Sequence, residues 1–176
     1  IISKRDTTGG WNFTRATSDR AYVYIYGTSE RDDRNSNHSG NWNNTQIFTL
    51  QYGKGTRKWY FDGVADATFN DVGTIQSSID SPLTLAGRVD VTGNEHSEAR
   101  VKFSEILIFK NRLALPDQRK VEGYLAHKWG LTGNLDSSHA YKSSPPTFND
   151  PISAVDLTLY WGAKDGGPNS AIWENN

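Results

Sequence analysis

The stretch that decides the fold is Asp117–Leu135, which reads DQRKVEGYLAHKWGLTGNL. Its apolar residues recur at helical spacing, and Gly130 lies where a left-handed C-terminal cap is expected, so that Leu131 can fold back onto the last turn. Pro116 suits a first turn, where a missing N–H costs nothing. Gly123 in mid-helix costs about 1 kcal/mol relative to Ala, so we expect a neighbouring sheet to approach closely there. The segment therefore predicts one amphipathic helix near the end of the chain.

The segments before this helix are typical of β-strands. They are rich in β-branched and aromatic residues, and Gly or Asp-Gly ends several of them. Asp62-Gly63 between two such runs predicts a hairpin turn. The predicted strands are Trp11–Arg15, Ala21–Tyr26, Gln46–Tyr52, Lys58–Phe61 and Val101–Lys110, and a later one is Val155–Trp161.

Two polar stretches predict irregular structure. Lys4–Gly10, KRDTTGG, has the Asp, Thr and Gly residues of a turn. Thr28–Asn44 contains almost nothing apolar except Trp42, so we expect a long surface loop, and loops of that length are often functional.

The composition excludes several classes of function. The 176 residues include 19 Lys and Arg against 20 Asp and Glu, a net charge of -1, which gives no electrostatic reason to expect nucleic acid. No apolar run approaches the ~20 residues of a membrane span. Cysteine is absent, so there is no disulfide, thiolate metal site or thiol nucleophile.

Taken together, the segments resemble bacterial laminin-G-like, concanavalin-A-like jelly-roll domains. The resemblance implies an all-β fold, an antiparallel jelly-roll β-sandwich with one C-terminal amphipathic helix, over residues 1–143 and without its first strands. Residues 144–154 would be a linker, and residues 155–176 would be the first strand or strands of a following fibronectin-type-III-like module, or an assembly tail. The segments that carry the resemblance are Ile1–Trp11, Trp59–Val64, Pro82–Arg88 and above all Phe103–Leu135.

Catalysis is not expected. Glycoside hydrolases of this superfamily need two carboxylates, about 5–5.5 Å apart in retaining enzymes, whereas the strongest predicted strand offers only Glu105, which we interpret as a structural hydrogen-bonding residue. His127 is expected to face solvent, and no metalloprotease spacing or nucleophile elbow is present. The four histidines, His38, His96, His127 and His139, are scattered.

The predicted loop offers two candidate sites. Trp42 beside Asn41 and Asn43, with Trp11 nearby, would suit a carbohydrate; alternatively Trp42 anchors its loop to the core. Laminin-G-like domains often bind Ca²⁺ at a rim, and suitable oxygen donors follow one another in this loop, although without EF-hand spacing. These calcium candidates are Asp32, Asp33, Asn35 and Asn37.

The resemblance implies a non-catalytic carbohydrate-binding or adhesion module of a secreted multidomain bacterial protein, acting outside the cell or at its surface. Its partner would be a glycan or a cell-surface polysaccharide. The alternative is a structural subunit of an extracellular fibre or surface layer, assembled through strand exchange by the C-terminal tail. Val155–Trp161 motivates that alternative, because it is a strand that follows a linker; truncation of a longer protein would give the same pattern.

Overall fold

The fold consists mostly of β-strands with one helix in the part of the chain that is described. The computed structural model describes residues 2–5, 10–15, 20–26, 31–39, 43–53, 55–70, 82–89, 95–96, 102–147, 157–164 and 167–172. The prediction of a β-rich protein with a helix near its end is confirmed. Among these residues, no helix combines the length and apolar composition that crossing a bilayer requires.

The chain forms two compact units. The first contains Ile1–Asn44, Tyr52–Trp59 and Asp66–Val101. The second contains Thr45–Gln51, Tyr60–Ala65 and Lys102–Asn176. The predicted division at residues 143 and 154 stays a prediction.

The first unit is built on a five-stranded sheet with the order β4-β3-β2-β1-β8. Neighbouring strands in this sheet are antiparallel. The predicted strands at Trp11 and Ala21 are thereby confirmed. The strands of this sheet are β1 (Ile2–Arg5), β2 (Gly10–Arg15), β3 (Arg20–Tyr26), β4 (Arg31–Ser39) and β8 (Thr84–Leu85).

The prediction of a surface loop over Thr28–Asn44 is wrong, because β4 lies inside it and pairs with β3. Backbone N–H and C=O groups form a ladder whatever side chains they carry, so a polar sequence can still add an edge strand. Ser36 is buried, and its Oγ accepts a hydrogen bond from the Ala21 N–H at 2.9 Å, which fixes β4 against β3.

A second sheet contains β5 (Phe48–Gly53), β6 (Thr56–Phe61) and β7 (Val64–Asn70), in that order. The predicted hairpin between β6 and β7 is confirmed. Asp62 has φ 48° and Gly63 has φ 80°, and two consecutive positive φ values define the tight turn that matches the twist of a hairpin. Asp62 also exchanges two hydrogen bonds of 2.8 Å with the backbone of Ile47, so the turn is held at a fixed place.

The remaining strands form two small antiparallel sheets. In one, β9 (Arg88–Val89) pairs with β10 (Glu95–His96). In the other, β11 (Glu105–Phe109) pairs with β12 (Leu157–Lys164), which pairs with β13 (Gly167–Ile172). Strand β12 therefore pairs with β11 of its own chain, not with β1.

Helix α1 (Leu115–Lys128) ends as its sequence predicts. Gly130 has φ 69°, and the Leu131 N–H donates to the Ala126 carbonyl at 2.7 Å. This is the hydrogen bond of a Schellman cap, which satisfies a carbonyl that the helix leaves open. The cap folds the chain back over an apolar cluster in the second unit, formed by Ile47, Leu125, Ala126, Leu131 and Leu135.

Gly123 is required for close packing, but its neighbour is not the sheet that we expected. A Cβ at this position would lie 2.4 Å from the Cβ of Tyr141, in the segment after the helix. His127 on the same helix does not simply face solvent: it is half-buried, and its Nε2 lies 2.9 Å from the Tyr141 carbonyl oxygen. Both residues therefore dock the segment that follows α1 onto the helix.

We expect Gly123→Ala to destabilise the protein by about 1–3 kcal/mol, because the added methyl group overlaps Tyr141 and outweighs the gain in helix propensity. Urea unfolding followed by circular dichroism measures the change. Gly133→Ala is the matched control, since a Cβ there meets no atom within 4 Å. Equal stabilities of the two variants would contradict the packing argument.

Candidate functional site

A row of polar and aromatic residues crosses the whole five-stranded sheet of the first unit. The backbone register sets Ser3 opposite both Thr84 and Asn12. It sets Tyr24 opposite both Asn12 and Asp33. Directly opposed residues of neighbouring strands share one face of a sheet. These five residues, one from each strand, therefore form a line that we call the polar row.

The centre of the polar row contains two buried polar side chains. Ser3 is 1% exposed and Asn12 is 6% exposed. Among the described residues, neither Ser3 Oγ nor Asn12 Oδ1 has a hydrogen-bond partner. An unsatisfied buried polar group costs about 1–3 kcal/mol, so these two atoms need a hydrogen-bond partner that the described residues do not supply.

Thr84 differs from its neighbours in the polar row. Its hydroxyl lies 3.2 Å from the Ser3 carbonyl oxygen and 2.9 Å from the Gly87 carbonyl oxygen. The side chain thus fastens the short edge strand β8 to β1, and it defines one end of the row.

The opposite face of the sheet is apolar at its centre, on β2 and β3. Val23 and Ala21 are buried, and Phe13 packs against Trp59 with the ring centroids 6.0 Å apart. Trp11, which we considered a sugar-stacking residue, is half-buried and lies in register with Ile25. Alternation along β2 places Trp11 on this apolar face, whereas Asn12 lies in the polar row.

The other sequence-predicted carbohydrate residues belong to a separate segment. Asn43 lies in an exposed turn. Asn41 and Trp42 lie outside the described residues. The sequence analysis did not identify the polar row, although one signal was available: in AYVYIY the tyrosines alternate with aliphatic residues, as on a strand with two different faces.

The four calcium candidates all lie on β4. Successive residues of a strand alternate between its faces, so Asp33 and Asn35 share one face and Asp32 belongs to the other, and the pairing with β3 shifts beyond Asn35. Calcium is commonly bound by oxygen donors that a loop wraps around the ion, and a calcium site at these four residues stays a prediction. Within the described part of the chain, no group of three or more His, Asp or Glu side chains is arranged to hold a metal ion.

The second unit contains a buried carboxylate, Glu122 on α1, whose side chain is 1% exposed. Both of its oxygens face hydrogen-bond donors. Oε1 lies 2.7 Å from Gln118 Nε2 and 3.5 Å from Thr49 Oγ1. Oε2 lies 3.3 Å from Arg119 Nη1 and 3.3 Å from His139 Nε2. A carboxylate accepts about four hydrogen bonds, so Glu122 is saturated by the protein itself.

The hydrogen bonds around His139 assign its tautomer. The Tyr141 N–H donates to His139 Nδ1 at 3.2 Å, so this nitrogen has no proton. The proton is therefore on Nε2, which donates to Glu122. A neutral imidazole satisfies both contacts, and it also explains how the fully buried ring is tolerated.

The turn of the β6–β7 hairpin is built into the same cluster. Arg119 Nη1 donates to the carbonyl oxygen of Gly63. A Cβ at Gly63 would lie 2.9 Å from Arg119 Nη1 and 2.9 Å from His139 Cδ2. Glycine is therefore required at position 63 for two reasons: the backbone has a positive φ, and α1 approaches closely.

Glu105 on β11 is the acidic residue for which the sequence predicts a structural hydrogen-bonding role. Its Oε1 accepts a hydrogen bond of 3.0 Å from the Tyr124 hydroxyl, and its Oε2 accepts one of 2.8 Å from Trp129 Nε1. Lys128 Nζ lies 3.0 Å from the same Oε2. The carboxylate thus joins β11 to the last turn of α1, in agreement with the expected hydrogen-bonding role.

Comparison with known proteins adds no assignment: no family model, curated protein or solved structure matches the chain.

We expect Glu122→Gln to destabilise the fold by about 3 kcal/mol. The substitution leaves Arg119 without its buried anion and sets an amide NH₂ against donors on His139 or Gln118. Urea unfolding gives the free-energy change. The control is Asp117→Asn on the same helix; Asp117 lies 3.5 Å from Lys120 with a well-exposed carboxylate, and its loss should cost within about 0.5 kcal/mol. Similar losses in the two variants would contradict a central role for Glu122.

A second prediction concerns Tyr124. Burial raises the pKa of Tyr124 from 10.0 to about 12, and the hydrogen bond to Glu105 acts in the same direction while Lys128 opposes it. Because the pKa is raised in the folded state, this contribution to stability is complete below about pH 10 and is lost as the pH rises towards about 12.

The measurement compares the free energies of unfolding of the protein and of Tyr124→Phe at about pH 9 and about pH 11. The protein should lose more stability than the variant over this interval. Parallel losses would show that Tyr124 does not retain its proton in the folded state.

Proposed function

We propose that this chain is a non-catalytic carbohydrate-binding or adhesion module of a secreted multidomain bacterial protein, built as a concanavalin-A-like jelly-roll sandwich. The observation that supports the ligand class is the polar row. The backbone register lines up an aromatic residue with amide, hydroxyl and carboxylate residues across the sheet. Protein sites that orient small polar ligands combine apolar or aromatic surface with a few placed polar groups in this way.

The dimensions of the polar row fit an extended ligand. Neighbouring strands lie about 4.8 Å apart, so the row across five strands is about 19 Å long. A linear oligosaccharide offers hydroxyl groups along such a length, and the residue types of the row include hydrogen-bond donors and acceptors. Asn12 at the centre of the row has an amide oxygen without a partner among the described residues, and Tyr24 lies opposite it in the backbone register.

The absence of catalysis remains part of the proposal. Glu105 and Glu122, two buried carboxylates among the described residues of the second unit, are each engaged by several protein donors. A glycosidase needs one carboxyl group free to protonate the leaving oxygen and another free to act on the sugar or on water. Groups held in this way instead serve to join helix, strand and turn.

The proposal is tested by screening the protein on an array of bacterial and host glycans and by titrating the best ligand in a calorimeter. Tyr24→Ala should weaken binding about tenfold or more, equivalent to about 1.4 kcal/mol, while Tyr24→Phe should retain most of the affinity because the ring remains. Trp11→Phe on the opposite face and Asn43→Ala in the exposed turn are the matched controls. Titrations with calcium and with EDTA show whether a metal contributes.

Two results would overturn the proposal in different ways. If no glycan binds, the carbohydrate function is wrong. If a glycan binds and the controls lose affinity while Tyr24→Ala does not, the function is correct but the binding site is not the polar row.

A further inference from the structure

The β12–β13 hairpin is joined to the rest of the protein through one strand. β12 pairs with β11 from Glu105↔Gly162 to Phe109↔Leu157, and β13 pairs only with β12 in the described part of the chain. Among the described elements, the extensive contacts of β12 are with these two neighbours. The hairpin therefore binds mainly by adding a strand to the edge of β11.

One end of β11 is fixed by contacts outside the hairpin. Its first residue, Glu105, accepts hydrogen bonds from Tyr124 and Trp129 of the helix region. An apolar strand held in this way presents a row of backbone N–H and C=O groups that need a partner.

The segment between α1 and the hairpin is also anchored. Lys142 Nζ donates to the carbonyl oxygens of Thr132 and Leu135, Tyr141 packs on Gly123, and Pro146 is buried. The hairpin follows after residues 148–156. These nine residues can span up to about 30 Å when extended, which is enough to reach the β11 edge of the same chain or that of a neighbouring chain.

We propose that the β12–β13 hairpin is exchanged between copies of this chain, so that β11 of one copy accepts β12 of another. The backbone hydrogen bonds and the register are the same in both arrangements, and only the path of the connection differs, which makes exchange a low-cost route to an assembly. The partner is a second copy of the chain. This inference does not depend on glycan binding.

The protein concentration should control whether the hairpin pairs within its own chain or with another copy. A short connection gives a tethered strand an effective concentration on the order of millimolar, so pairing within one chain prevails in dilute solution. Exchange prevails when neighbouring copies are crowded to a comparable level, as they are in a fibre or a surface layer, or when chains fold together at high concentration.

The absence of cysteine makes a direct test straightforward. Leu107 and Tyr160 are opposed in the β11–β12 register, and opposed residues in antiparallel strands have Cα atoms about 4.5–5.5 Å apart, within the range of a disulfide. Leu107→Cys and Tyr160→Cys are prepared as separate single variants of the full chain. They are mixed, unfolded, refolded together at low and at high concentration, and then oxidised.

Exchange predicts a disulfide-linked heterodimer of twice 19.7 kDa, identified by the mass of its cross-linked peptide, with a yield that rises at least about fivefold from the low to the high concentration. Leu107→Cys mixed with Ser170→Cys is the control, because Ser170 lies on β13 opposite Gly162 and is not paired with β11. If Leu107→Cys impairs folding, Ile108→Cys with Leu159→Cys tests the next opposed pair.

The double variant Leu107→Cys, Tyr160→Cys separates the remaining outcomes. An internal cross-link in the double variant, with no more heterodimer from the mixture than from the control, would show that the hairpin stays in its own chain and would overturn the proposal. Failure of both the internal and the intermolecular cross-links would overturn the β11–β12 pairing itself, and exchange with it.

Discussion

The second unit depends on the burial of one carboxylate. A charged group that leaves water must be met by donors, because an isolated buried anion is strongly unfavourable. Glu122 meets this requirement with donors from β5, from its own helix and from the segment after the helix. Through Arg119 the same cluster also holds the carbonyl of Gly63. Each segment that supplies a donor is therefore fixed in place by the need to satisfy this one charge.

The buried polar groups of the first unit differ in whether they have a hydrogen-bond partner among the described residues. Arg57 is buried, with its Nη1 3.2 Å from the Val23 carbonyl oxygen and its guanidinium 5.7 Å from the centre of the Phe69 ring. In contrast, Ser3 Oγ and Asn12 Oδ1 remain without a partner among the described residues. In the second unit, Glu122 is engaged by several donors, while the buried Gln118 Oε1 likewise has no partner among the described residues.

Features encoded within a few residues could be predicted from the sequence. Gly130 and Leu131 predict the helix cap, and Asp62-Gly63 predicts the hairpin turn, because both depend on local backbone geometry. Features that join distant segments could not. β4 was missed because its pairing with β3, and the Ser36 hydrogen bond to Ala21, are set by the neighbouring strand. The polar row requires the register between Ser3 and Thr84, 81 residues apart, and the Glu122–His139 contact requires the chain to return after the helix.

The environment of Asp62-Gly63 also bears on the chemical durability of the protein. An Asp-Gly pair in a free chain is prone to isomerisation, since the glycine nitrogen can attack the aspartate carboxyl group and close a succinimide ring. Here the Asp62 carboxylate accepts a hydrogen bond from the Ile47 N–H, and Gly63 is enclosed by Arg119 and His139. These contacts hold the carboxylate and restrict the rotation that ring closure needs. The fold thereby protects the Asp-Gly dipeptide, which the β6–β7 hairpin turn requires, against slow isomerisation.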